Sequence, residues 1–253
     1  MGKGPHPCWS RGRGSTLEEG GEYPVGGPSP VAFFDLDGTL CTGQVWRGLG
    51  RWASAFRQRR WAYQKHLRLL PLAYWPLYRM RLLPEGTFFT LWGQGVAAFF
   101  RGMPYRDARA VCRWVVEEEI VPSLRPDVVE RLQGHQRRGD RVALVSGAIG
   151  EVVEEVARHL GVSTVLATPL EVQDGRCTGR LQGPFLYGDL KAQRISTFAR
   201  EQTPPLDLSH CWAYADRRWD IPFLEAVGHP VAVYPDRTLR TYAQRKGWEI
   251  VGA

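Results

Sequence analysis

The chain has 253 residues, 43% of them apolar, which suits one globular core domain plus a smaller insert and is too little for a membrane protein. No stretch approaches the roughly 18 uninterrupted apolar residues of a spanning helix, and no apolar segment marks a secretory leader, so a cytoplasmic protein is expected. The net charge of +7 is unevenly placed: residues 41–125 hold fourteen basic groups against five acidic, residues 1–40 three against five, and residues 126–253 sixteen of each.

Residues 1–30 are rich in Gly, Pro and Ser and are expected to be a disordered tail, or sequence upstream of the real start. The run Val31-Ala32-Phe33-Phe34 then predicts a buried strand, closed by Asp35-Leu36-Asp37-Gly38-Thr39. Gly38 marks a turn beside the two acids. Two like charges so close repel, and a cation is the usual remedy.

From residue 41 to about 119 the pattern is helical, with Trp46, Leu49, Ala53 and Phe56 at three-to-four spacing. Pro71, Pro76 and Pro84 are expected to cut this region into short helices. No acid occurs between Gly38 and Pro84, while cationic residues such as Arg57, Arg59, Arg60, Lys65 and Arg68 are interleaved with Trp61, Tyr63, Trp75 and Tyr78. The plain reading is an insert that packs its aromatics inward while arginines reach solvent. A second reading is a surface for anionic, partly apolar material such as an anionic membrane. Nucleic acid ranks last, because no nucleic-acid-binding motif is present.

After Pro126 strands and helices alternate. Helices are predicted over residues 126–138, 151–160, 191–201, 221–227 and 239–246. Strands are predicted over 141–145, 164–167, 211–215 and 231–234, the last closing the sheet, with a hairpin at Asp174-Gly175 joining 170–172 to 177–181. This is the signature of an α/β fold, a doubly wound and mostly parallel sheet. The expected organisation is a core of residues 31–40 and 126–253, with an all-helical insert of residues 41–125 after the first strand. Cys8, Cys41, Cys112, Cys177 and Cys211 are scattered and odd in number, which fits reduced thiols and neither a disulfide frame nor a zinc site.

Polar groups now stand at successive element ends: Asp35 and Asp37, Ser146, Lys191, and Asp216 with Asp220. In a doubly wound sheet such ends line one crevice. Singly, each has a plain role: an exposed acidic turn, a helix cap, a solvated lysine, a first-turn acid. Together they suit phosphoryl transfer. A carboxylate attacks phosphorus, a neighbour moves the proton, a hydroxyl and a lysine hold the phosphoryl oxygens, and the carboxylates suit a hard ion, Mg²⁺.

In this order the motifs resemble those of the haloacid dehalogenase (HAD) superfamily, in particular its phosphoserine-phosphatase-like subfamily with a helical cap. They are Asp35-Leu36-Asp37-Gly38-Thr39, Leu144-Val145-Ser146-Gly147, Gly188-Asp189-Leu190-Lys191 and Asp216-Arg217-Arg218-Trp219-Asp220. The resemblance implies a phosphoric monoester hydrolase with a Rossmann-like core and a cap formed by residues 41–125. It implies Asp35 as nucleophile, Asp37 as general acid/base, and Thr39, Ser146, Gly147 and Lys191 around the phosphate. Mg²⁺ would be held by Asp35, the Asp37 main-chain carbonyl and Asp216, with Asp220 orienting that shell. A small phosphorylated metabolite is the expected substrate; a lipid phosphate, or transfer of the phosphoryl group to an alcohol, is the alternative. Two departures stand out. Gln44 occupies the place where phosphoserine phosphatases have a substrate-binding glutamate, and Arg217 and Arg218 directly follow Asp216, expected to face solvent or pair with Asp220.

Overall fold

The computed structural model describes residues 29–252, so Cys8 and nearly all of the expected tail lie outside the described residues. The described residues open with β1 (Val31–Phe34) and then run through α1 (Val45–Ala55), α2 (Arg60–Tyr63), a π-helical stretch (Gln64–Leu69), α3 (Leu70–Arg79), α4 (Glu85–Phe99) and α5 (Tyr105–Val115). A second π-helical stretch (Val116–Ile120) and a 3₁₀ turn (Val121–Ser123) lead to α6 (Pro126–Arg138), β2 (Arg141–Ile149), α7 (Gly150–Leu160), β3 (Thr164–Thr168), β4 (Leu170–Gln173) and β5 (Arg176–Leu181). The remainder is α8 (Asp189–Glu201), a 3₁₀ turn (Leu208–His210), β6 (Trp212–Ala215), a 3₁₀ turn (Arg218–Asp220), α9 (Ile221–Glu225), β7 (His229–Val233), α10 (Arg237–Lys246) and β8 (Glu249–Val251).

Six strands form one parallel sheet in the order β3-β2-β1-β6-β7-β8. The chain leaves β1 to one side for β2 and β3, and later crosses to its other side for β6, β7 and β8. The switch point where an α/β crevice opens therefore lies at the carboxyl end of β1. Both faces of β1 are buried, as a parallel sheet covered by helices requires. Ala32 and Phe34 join a cluster with α1, α5 and α7, while Val31 and Phe33 join a second with α8, α9 and α10. Phe34 stacks on Tyr214 at 4.1 Å and Phe33 meets Phe198 edge-on at 6.0 Å. Burying each such side chain contributes about 1.5–3 kcal/mol.

The helical insert shares one continuous buried cluster with the sheet: Leu49, Trp52, Phe99 and Val115 pack in the same body as Phe34 and Leu144. The Asp174-Gly175 turn has positive φ at both residues, 50° and 71°, and closes the β4–β5 hairpin as expected. Three details differ from the sequence reading. The sheet ends not on β7 but on β8, a three-residue strand too short to show alternation. Strand β2 continues to Ile149, so Ser146 and Gly147 lie in strand, and α7 begins at Gly150. Neither Pro71 nor Pro76 cuts the helical run, which continues from Arg60 to Arg79; the partner the missing N–H of Pro76 leaves over is the carbonyl of Leu72, an exposed residue that water can reach. No helix among the described residues is long and apolar enough to cross a membrane.

Candidate active site

Register explains why residues distant in sequence meet. Phe34 is level with Leu144 on one side and Tyr214 on the other, and the Asp35 N–H donates to the Tyr214 carbonyl at 3.0 Å. Asp35, Ser146 and Asp216 therefore emerge side by side from β1, β2 and β6. Beyond Asp35 the backbone turns at once. Gly38 has φ +90°, its N–H donates to the Cys41 carbonyl at 2.8 Å, and the Leu40 N–H returns to the Leu36 carbonyl at 3.0 Å. Arg125 pins this loop from outside through its Nε on the Gly38 carbonyl at 3.3 Å. A Cβ on residue 38 would fall 2.2 Å from Asp216 Oδ2, so glycine is required by conformation and by space alike.

The third residue of α8, Lys191, reaches under this loop. Its Nζ donates to Asp35 Oδ1 at 2.7 Å and lies 2.8 Å from Asp220 Oδ1, all three residues being buried. Burial opposes the ammonium charge, but Asp220 and Asp35 more than offset it and hold the lysine protonated. The Thr39 hydroxyl stands 3.2 Å from Asp35 Oδ2 and 3.4 Å from Asp216 Oδ1, with one proton to give between them. Arg217 pairs through Nε with Asp216 Oδ2 at 2.8 Å; of the two expectations, solvent exposure or a pair with Asp220, the half-exposed side chain meets the first. Ser146 is buried, and its Oγ accepts the Ala148 N–H at 3.0 Å. Gly147 passes so close to the Leu186 carbonyl that a Cβ would lie 2.8 Å from it.

The carboxylates outnumber their counter-charges. Burial first, then the charge of Asp35, pushes Asp37 up to about 7, and the same two causes push Asp216 up to about 8. Asp220 is also raised, chiefly by burial, against the pull of Lys191. The buried Asp37 Oδ1 and Asp220 Oδ2 have no hydrogen-bond partner; Asp220 Oδ1 has only its ion-pair contact with Lys191, out of hydrogen-bond alignment. Asp35, Asp216 and Asp220 offer oxygens within 4.8 Å of one another. An all-oxygen set with unsatisfied buried atoms fits a hard divalent cation. Asp220 stands within this group and the Asp37 side chain outside it.

Asp236 ties the loop after β6. Its own N–H donates to the Asp216 carbonyl at 2.9 Å, its Oδ2 accepts the Arg218 N–H at 3.0 Å, and its Oδ1 caps α10 at Leu239. The Arg218 side chain reaches instead to the helical insert. There the Glu85 carboxylate takes hydrogen bonds from Arg218, from the Tyr187 hydroxyl and, at 3.0 Å, from the Tyr78 hydroxyl. Beside this clasp Phe89 stacks on Tyr187 at 4.0 Å. A cavity of about 740 Å³ lies between insert and sheet, with Asp35, Asp37, Ser146, Gly147 and Lys191 among its walls. Sequence reasoning missed Glu85, Tyr187 and the aromatic wall of α4. Phe88, Phe89, Trp92 and Val96 do recur at helical spacing, but that pattern does not say whether the face meets a core or a cavity.

A family model described as haloacid dehalogenase-like hydrolase matches residues 32–225, the span that contains every one of these groups but Asp236. The chain belongs to the haloacid dehalogenase-like hydrolases. A Mycobacterium tuberculosis protein named as a phosphatase is 35% identical to this HAD chain over 150 residues, 59% of the chain and 51% of that relative. The chain thus spans about half the length of the first curated relatives it matches. The phosphoserine phosphatase SerB1 of the same organism is 33% identical over 221 residues, covering 87% of the chain and 70% of the relative. Among solved structures, a protein of unknown function from Bordetella pertussis superposes with a TM-score of 0.72 at 27% identity, over 89% of this chain and 99% of that one.

Proposed function

We propose that this HAD hydrolase is a Mg²⁺-dependent phosphomonoesterase that works through an aspartyl-phosphate on Asp35. The observation that carries this reading is the buried Lys191–Asp35 contact at 2.7 Å beside the unpartnered Asp37 Oδ1. An oxygen of Asp35 attacks phosphorus while the bond from phosphorus to the leaving oxygen breaks. Asp37, whose pKa near 7 lets it carry a proton at neutral pH, gives that proton to the departing oxygen. It then takes a proton from water, whose oxygen attacks the phosphorus and releases Asp35 and inorganic phosphate. Lys191 and the hydrogen-bonding groups of Ser146 and Gly147 hold the phosphoryl oxygens, and Thr39 steadies Asp35. Asp35 and Asp216, with the Asp37 main-chain carbonyl, would hold the ion beside Asp220. The ion supplies charge neutralisation as the phosphoryl group approaches four carboxylates. Residues 41–125 serve as the cap, closed over the crevice by the Glu85 clasp.

Exhaustive chelation is expected to stop hydrolysis of an aryl phosphate, and added Mg²⁺ to restore it. An undiminished rate in the chelated protein would refute the metal assignment.

A second reading concerns location. Trp61, Leu69, Leu72, Met80 and Leu82 are each more than half exposed, at 73, 53, 66, 67 and 67%, within the acid-free cationic stretch. Exposed Trp and Leu among Arg and Lys fit the surface of an anionic bilayer. The protein is expected to float with phosphatidylglycerol vesicles at low salt and to be released by high salt. Failure to float at low salt would leave these side chains without that role.

A further inference from the structure

We infer that the phosphoester this site cleaves carries a large apolar organic group, such as the hydrocarbon chain of a lipid-like phosphomonoester; the inference rests on the phosphatase reading above. The cavity of about 740 Å³ falls in the range of roughly 300–1,000 Å³ that encloses a drug-sized ligand, far more than a phosphate and a few polar atoms need. Asp35, Asp37 and Lys191 stand together at the sheet end of the cavity, and Arg68 is the charged group that the insert contributes. Away from that end the walls are Leu67, Leu72, Trp75, Phe88, Phe89 and Trp92.

The polar groups that remain do not suit a polar metabolite. Asp35 and Asp37 are the only carboxylates in the lining, so the ammonium of an amino-acid phosphate finds no anion outside the reacting centre. Gln44 lines the cavity at the position where a glutamate was looked for, and its Oε1 is already taken by Trp46 Nε1 at 3.1 Å. The two further cations, Arg68 and Arg217, repel an ammonium. A nucleobase would stack on the rings, but the side chains of Leu67, Leu72, Phe88 and Phe89 offer its edge no donor or acceptor. The rings are also held in place: Phe88 stacks on Tyr78 at 4.7 Å, and Trp75 meets Phe88 at 6.0 Å. Trp75 and Leu72 nevertheless stay 49 and 66% exposed at the cavity margin. A hydrocarbon group covers that apolar surface and brings no polar atom of its own that would need a partner there.

The test is kcat/KM of the full chain with Mg²⁺ on n-alkyl phosphates from ethyl to decyl, beside phosphoserine. Each methylene that becomes buried is expected to raise it by up to about fourfold, for a gain of roughly a hundredfold or more across the series. Trp75→Ser should flatten the dependence on chain length. Binding to Asp35→Asn, read by quenching of tryptophan fluorescence, should tighten along the same series without turnover. A flat series, or a preference for phosphoserine, in an enzyme that does hydrolyse phosphomonoesters overturns the apolar substrate and spares the reaction. Chain-length-dependent binding with no turnover of any ester by the wild type overturns the reaction. Offering a long-chain lysophosphatidate in vesicles and decyl phosphate dispersed in water distinguishes a bilayer source from a soluble one; turnover of either well above that of ethyl phosphate supports the inference, and turnover of neither above it overturns it.

Discussion

Asp35→Asn is expected to lower turnover of an aryl phosphate by roughly 10⁴-fold or more while leaving the metal-free protein at least as stable as the wild type. The amide keeps the shape of the side chain but is no nucleophile towards phosphorus. The stability half follows from charge. Four carboxylates, those of Asp35, Asp37, Asp216 and Asp220, face Lys191 and the half-exposed Arg217, so loss of one negative charge relieves repulsion. Stabilisation by added Mg²⁺ should shrink in the same variant. Activity retained at wild-type level would remove Asp35 from the chemistry; a collapse of stability would show that the cluster is not overcharged.

Lys191→Met is expected to lose most of its activity too, on the order of 10²–10³-fold, for the opposite electrostatic reason. Here the only buried cation of the cluster disappears, and Asp35 and Asp220 face each other without it. Breaking a buried pair by removing one partner costs about 3–5 kcal/mol, which for a chain of this size lowers the melting temperature by roughly 10 °C. Thermal melts in chelator should show that drop, and Mg²⁺ should recover part of it. An unchanged melting temperature would mean that Lys191 is not the counter-charge holding these acids together. The two variants thus lose activity together and part company in stability.

Much of the fold was legible in the sequence because buried parallel strands are short apolar runs with polar stops. The runs ending at Asp35 and Asp216 each named a strand end and a candidate group at once. Where the strand was only Glu249–Val251, three residues carried no period to read, and β8 was missed. Ser146 before a glycine resembles a helix cap, yet pairing with β3 carries β2 on to Ile149. The partner of Arg217 is a matter of side-chain direction in a tight loop, which spacing does not encode. Glu85 shows the limit most plainly: it lies 133 residues from Arg218 and 102 from Tyr187, and nothing local marks it as their meeting point.

Arg217 and Arg218 are neighbours in the chain with opposite allegiances, one to Asp216 and one to the helical layer. Asp236 fixes the peptide backbone around both, through the Asp216 carbonyl and the Arg218 N–H. Release of the Arg218 side chain from Glu85 is therefore a rotation about its own bonds, with its main chain anchored. The joint works like a door latch mounted on a fixed post. Parting of the helical layer from the sheet at this contact would leave the main chain of Asp216, two residues from Arg218, in place.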